Sequence, residues 1–176
     1  MSKTLSTILT IFKIARIVAQ VIFIFCIIGA IGCLIGATAL PMVDSLLPSE
    51  LLAEEGISLT DACAACIVGL FVCSGEAVVA FFAKNYFANV LSAGTPFTFT
   101  GAKECFRLGV TSIIVSLAVA IASAITVGIF EFFFRNTSAI NVDSSISLST
   151  GLFFLFLSLI FKHGAELAAP KESPLE

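Results

Sequence analysis

The chain has 176 residues, of which 59% are hydrophobic and 12% charged, with 18 Phe, no Trp and a formal net charge of −3. A soluble domain carries roughly 45–50% apolar and about 25% charged residues, so this balance describes a membrane protein rather than an ordinary soluble enzyme. The sequence contains no basic block, which argues against nucleic acid as a partner.

Residues 2–16 place Leu5, Ile8, Leu9 and Phe12 at helical spacing with Lys3 and Lys13 beside them, a pattern that predicts an interfacial helix leading into the first span. Four runs nearly free of charge follow, and they predict spans at about 17–40, 62–83, 108–130 and 144–161. Each approaches the ~20 residues that a helix needs to cross a ~30 Å hydrocarbon core. Helix is the expected form, because none of the runs shows the short alternating segments of a barrel. The first run follows Lys and Arg as a secretory signal would, but its apolar stretch is about twice the usual 7–15 residues of a signal core, so an uncleaved span is expected.

Between the spans, Pro41 and Pro48 break the chain, and residues 49–56 have the composition of a short helical turn ending at Gly56. Thr60 or Asp61 is placed to cap span two. That helix meets no breaker before Gly94, so it is expected to run past the membrane. Pro96 stops it, and Thr98 or Thr100 can cap the next helix. Asn136–Ser147 reads as a second connecting loop, and residues 170–176 as a polar, disordered tail behind a single domain over 1–169.

Eight cations, Lys3, Lys13, Arg16, Lys84, Lys103, Arg107, Lys162 and Lys171, fall on one side of the predicted spans, against Arg135 on the other. The expected protein is therefore an all-α integral membrane four-helix bundle of the bacterial inner membrane, with both termini cytoplasmic and the loop carrying Asp44, Glu50, Glu54 and Glu55 outside.

Chemistry-bearing residues are few. Span two carries a stripe at steps of three and four, Ala62, Cys66, Gly69, Cys73, Glu76, Ala80 and Ala83, in which only Glu76 is not small. Helices in lipid associate through small residues that let backbones approach, so this stripe is expected to be a packing face, with Ile67, Leu70, Phe71, Val78 and Phe81 toward lipid. Span three offers Gly109, Ser112, Ser116, Val119, Ser123 and Thr126 in one wedge, the expected partner of the stripe. At matching depth lie Gln20 and Ser158, so Glu76, Ser112, Ser116, Gln20 and Ser158 form the candidate intramembrane polar cluster. An ionisable residue at mid-span costs at least ~2.5–3.5 kcal/mol on the insertion scale and raises a functional suspicion. A lone carboxyl hydrogen-bonded between helices is the favoured reading, since a relay would call for a chain of titratable groups.

Cys63-Ala-Ala-Cys66 resembles the redox motif of membrane thiol oxidoreductases. Such an enzyme needs a second cysteine pair, and residues 44–60 and 131–147 contain none. Small thiols filling helix contacts are the simpler reading. His163 reads as an interfacial anchor after span four. No phosphate loop, dinucleotide turn, H-E-x-x-H or G-x-S-x-G occurs, so no catalytic residue, metal or cofactor is expected.

The stretches "LSAGTPFTFTGAKECFRLGV" and "LFLSLIFKHGAEL" resemble a family of small bacterial four-span membrane proteins, domain of unknown function two-nine-seven-five. The resemblance rests on the turn Gly94, Pro96, Phe97 and Thr98, and on Lys162, His163, Gly164, Ala165 and Leu167 after span four, with Arg107 at the family's basic position. The family's usual Asn is replaced near Gly101 or Ala102. The family often sits beside a helix-turn-helix regulator, so the resemblance implies a membrane sensor or a protein partner. The expected function is thus that of a non-enzymatic protein of the lipid bilayer acting through protein partners or as a homo-oligomer, as a membrane sensor or a regulatory or accessory subunit. A small transporter or channel subunit using Glu76 is the alternative, and a thiol oxidoreductase a third.

Overall fold

The computed structural model describes residues 3–43, 59–134 and 145–168, and all of its elements are α-helices. In chain order these are α1 (Lys3–Val43), α2 (Leu59–Ala93), α3 (Phe99–Phe134) and α4 (Ser145–Ala168). All four are long and apolar enough to cross a membrane. Their surfaces fit that environment, because α1 alone exposes Ile14, Ile17, Ile24, Phe25, Ile28, Ile31 and Ile35. A contiguous apolar face of this extent is foreign to a soluble monomer. The helix is the form that satisfies every peptide group within the segment, and hydroxyls do the same here: Thr10 donates to the Ser6 carbonyl and Thr38 to that of Leu34.

The helices begin and end somewhat differently from the sequence-based expectation. The predicted interfacial segment is continuous with the first span, since α1 is one helix of 41 residues that holds Pro41 in its last turn. At ~1.5 Å per residue such a helix is about 60 Å long, twice the thickness of a hydrocarbon core. Helix α2 already includes Leu59, so Thr60 and Asp61 lie within its first turn rather than capping it, and Asp61 complements the helix dipole there. The predicted turn over 49–56, residues 136–144 of the predicted loop and the tail 170–176 lie outside the described residues; the last three residues assigned to that loop, 145–147, are helical and open α4.

The α2–α3 turn is built from the residues the sequence singles out. Helix α2 ends at Ala93 and is followed by Gly94 at φ +71°, a left-handed position that favours glycine. Pro96 is among the most deeply buried residues. Thr98 caps α3: its Oγ1 accepts the Gly101 N–H at 2.9 Å, while its carbonyl accepts that of Ala102. A Cβ on Gly101 would stand 2.9 Å from that same Oγ1, so glycine suits the cap.

The helices contribute to two compact units. The first comprises residues 1–21, 79–114 and 146–176, and the second 22–78 and 115–145. The first unit packs Tyr86, Val90, Ala102, Cys105, Leu108 and Phe161 into one buried cluster, bordered by Phe12, Phe87 and Phe154. Phe12 of α1 meets the rings of Tyr86 and Phe87 edge-on, and the Cys105 thiol donates to the Phe154 carbonyl of α4 at 3.3 Å. Where α3 crosses α4, two glycines face each other: a Cβ on Gly109 would lie 3.0 Å from the Gly151 carbonyl oxygen, and one on Gly151 only 2.6 Å from Ile113. Phe97 packs against α4, since a Cβ on Gly164 would meet its ring at 2.6 Å, and it meets Phe161 edge-on.

In the second unit α1, α2 and α3 pack through residues of the same kind. The α3 wedge read from the sequence is buried in both units, with Ser112 in the first and Ser116, Ser123 and Thr126 in the second.

The glycine crossing yields a test. Gly151→Val forces two methyls into Ile113 and the Gly109 carbonyl, and overpacking of this type costs about 1–3 kcal/mol. A Cβ on Gly128 would meet nothing within 4 Å, which makes Gly128→Val the control. Thermal melting in detergent, followed by circular dichroism, should show a lowered transition for Gly151→Val and an unchanged one for Gly128→Val.

Candidate functional site

The middle of the α2 stripe, Cys66, Gly69 and Cys73, packs against α1. A Cβ on Gly36 would stand 2.8 Å from the Cys66 sulfur, one on Gly69 2.9 Å from that of Cys33, and one on Gly29 3.0 Å from that of Cys73. Each cysteine therefore seats its sulfur in the notch of a glycine on the other helix. The pattern is reciprocal because both helices carry Cys-x-x-Gly-x-x-x-Cys: Cys26, Gly29 and Cys33 on α1, and Cys66, Gly69 and Cys73 on α2. Run antiparallel, the two patterns interlock. The next position is Gly36 on α1 and Glu76 on α2. In this register Glu76 faces Cys26, and its carboxyl lies close enough to the Cys26 and Cys73 thiols to act on both electrostatically. Cys73 also lies beside Cys33 across the helix pair.

Helix α3 meets α2 elsewhere. A Cβ on Gly75 would lie 2.6 Å from Val119 and 3.0 Å from Val115. Successive residues on a helix are about 100° apart, so Gly75 can face α3 while Glu76 faces α1. Glu76 is half-buried, Ser116 is buried with its Oγ bonded to nothing among the described residues, and both belong to the second unit. Gln20, Ser112 and Ser158 belong to the first unit. Gln20 is exposed, and Ser158 donates to the Leu155 carbonyl of its own helix.

A second constellation, in the first unit, was not singled out from sequence. Phe82, Asn85, Tyr86 and Asn89 of α2, with Glu104, Arg107 and Leu108 of α3, line a cleft of ≈190 Å³. Residues 82, 85, 86 and 89 recur at helical steps of three and four, as do 104, 107 and 108, so each set shares one helix face. Asn89 Nδ2 donates to Glu104 Oε1 at 2.9 Å and ties the two walls together. The other carboxylate oxygen, Glu104 Oε2, is buried without a hydrogen-bond partner, and so is the hydroxyl of Tyr86, a residue only 3% exposed. That hydroxyl faces the Cys105 thiol without meeting hydrogen-bond geometry, since the thiol already donates to Phe154. The signal available in sequence was the i, i+4 pair Asn85 and Asn89 opposite Glu104 and Arg107, just beyond the apolar runs.

The six cysteines are all free thiols. Among the described residues no three His, Cys, Asp or Glu side chains are placed to hold a metal ion. His163 is exposed and lies 3.8 Å from Glu166 one turn on. Scans against family models, curated proteins and solved structures return no match to this chain.

As a carboxyl held between helices, Glu76 is replaceable by Gln, which keeps shape and hydrogen-bonding capacity. Glu76→Ala should cost on the order of 1 kcal/mol, the scale of interhelical hydrogen bonds in membranes. Melting of the two variants in detergent checks this: Gln near wild type and Ala lowered is the expected order.

Proposed function

We propose that this is a multi-pass protein of the bacterial inner membrane, with both termini cytoplasmic, that acts through a protein partner or self-association as a sensor or accessory subunit and not as an enzyme. One observation carries the reading. Every Lys and Arg among the described residues, Lys3, Lys13, Arg16, Lys84, Lys103, Arg107 and Lys162, belongs to the first unit, and the described residues of the second unit hold none. Cation-rich segments flanking spans remain on the cytoplasmic side, so this partition supports a cytoplasmic first unit and a working surface there. The resemblance to the four-span family of unknown function two-nine-seven-five agrees with that role. The turn that carries the resemblance and the last turns of α4 meet through Phe97 and Gly164.

The use of Glu76 in transport is the second reading, favoured by its half-buried place among thiols. Loss of an ion flux in Glu76→Gln, with folding retained, would establish it over the first.

Two measurements test the proposal. In a cysteine-free background, an impermeant thiol reagent applied to intact cells should label a cysteine at 52 and not one at 94; the reverse pattern overturns the orientation. Mild-detergent purification with native mass measurement should yield a complex larger than one chain, whereas a bare monomer in every detergent overturns the partner role.

A further inference from the structure

We infer that the α2–α3 cleft binds a zwitterion joining a primary ammonium to a phosphate, the chemistry of phosphoethanolamine, presented as a lipid headgroup. The inference rests on the reading of the first unit as the cytoplasmic working surface and names what that surface recognises.

Two groups in the cleft lack partners, and their needs differ. Glu104 Oε2 is a buried acceptor with nothing donating to it, its sister oxygen already taken by Asn89. A buried carboxylate oxygen left unanswered is costly, and a charged N–H donor answers it best. Tyr86 presents a hydroxyl, almost fully buried, that can donate or accept. Arg107, on the same cleft wall, offers a planar fork of donors suited to phosphate. The cleft thus holds one negative and one positive group, and a ligand of matching neutral, dipolar charge leaves neither uncompensated. Asn85 and Asn89, both exposed, supply further donors and acceptors, and exposed side chains change rotamer in picoseconds to nanoseconds. The buried atoms are therefore reached by a side-chain turn, with no helix movement.

Position points to a lipid as the source. The apolar run of α2 ends at Ala83, and that of α3 begins at Leu108. Phe82 and Leu108 accordingly lie on the hydrocarbon side of the cleft, while Asn85, Asn89, Glu104 and Arg107 lie on the headgroup side. Phe82 is exposed toward the acyl chains that would follow such a headgroup.

The choice of ammonium makes the inference sharp. A phosphocholine headgroup has the same charges and no N–H, so it cannot donate to Glu104 Oε2. The test uses purified protein, delipidated in mild detergent and exposed to equal amounts of phosphatidylethanolamine, phosphatidylcholine and phosphatidylglycerol, with retained lipid read by native mass spectrometry. Retention of phosphatidylethanolamine over phosphatidylcholine is expected on the order of tenfold, the size of one charge-assisted hydrogen bond. Glu104→Gln can still accept from Asn89, so it should fold with an unchanged melt and lose that preference. Tyr86→Phe should weaken it, and Arg107→Ala should lower retention of both phosphatidylethanolamine and phosphatidylglycerol. Free O-phosphoethanolamine should compete only weakly; full displacement at comparable concentration would assign the site to the soluble compound and overturn the lipid source. Equal retention of the three lipids, no retained lipid, or a preference that survives Glu104→Gln overturns the inference. Because purification with a partner is read separately, loss of the lipid preference with the partner retained rejects only this inference.

Discussion

Glycine notches filled by a neighbouring side chain set the approach of the helices throughout the described residues. On α1 and α2 three such notches take cysteine sulfurs; on α2 and α3 Gly75 takes Val115 and Val119; on α3 and α4 Gly109 and Gly151 face each other; and Gly164 takes the ring of Phe97. The prominence of these contacts follows from the solvent. When the surroundings are as apolar as leucine, burying another leucine gains little, and attraction comes from close packing of backbone and from interhelical hydrogen bonds. Large apolar residues are therefore left facing outward, as Phe25, Ile28, Ile114 and Phe156 are. Small ones take the contacts that a soluble core would give to leucine.

Cysteine is well matched to this role. Its sulfur is larger than a methyl and more polarisable than a hydroxyl, and it makes no strong hydrogen-bond demand when buried. A serine in the same notch would have to return its proton to its own helix, as Ser158 does. The interlocked series also gives Cys66 a packing role: it is spaced for Gly36, in step with Cys73 over Gly29. Glu76 continues the same series at the place facing Cys26. One polar residue in a run of small ones fits a helix contact better than a stretch of relay.

Much of the fold was legible in the sequence because lipid imposes its demands on the sequence directly. Span number, the α2–α3 turn at Gly94, the cap at Thr98 and the buried wedge of α3 all follow from composition and local geometry. The partner of the α2 stripe did not. A small-residue face announces that something packs there, and both α1 and α3 carry such faces. The repeated Cys-x-x-Gly-x-x-x-Cys of α1 was the missing discriminator, since only a matched series can interlock over three successive notches. The cleft was overlooked for another reason. Its residues fall just outside the apolar runs, where Asn, Lys, Glu and Arg look like ordinary interfacial solvation, and only the three-dimensional structure shows that Glu104 Oε2 and the Tyr86 hydroxyl are buried without partners.

The interlock of α1 with α2 is the central claim, and thiol cross-linking in native membranes tests it most directly. With the other four cysteines changed to Ala, Cys33 and Cys73, neighbours across the helix pair, should join on mild oxidation, the linked peptides being identified by mass spectrometry. The pair Cys26 and Cys66 serves as control, because in this register Cys66 sits over Gly36, ten residues or about 15 Å along α1 from Cys26. Efficient linkage of Cys33 to Cys73 with none between Cys26 and Cys66 is the predicted result. Linkage of the control pair, or of neither, would contradict the register and with it the account of how these helices are held.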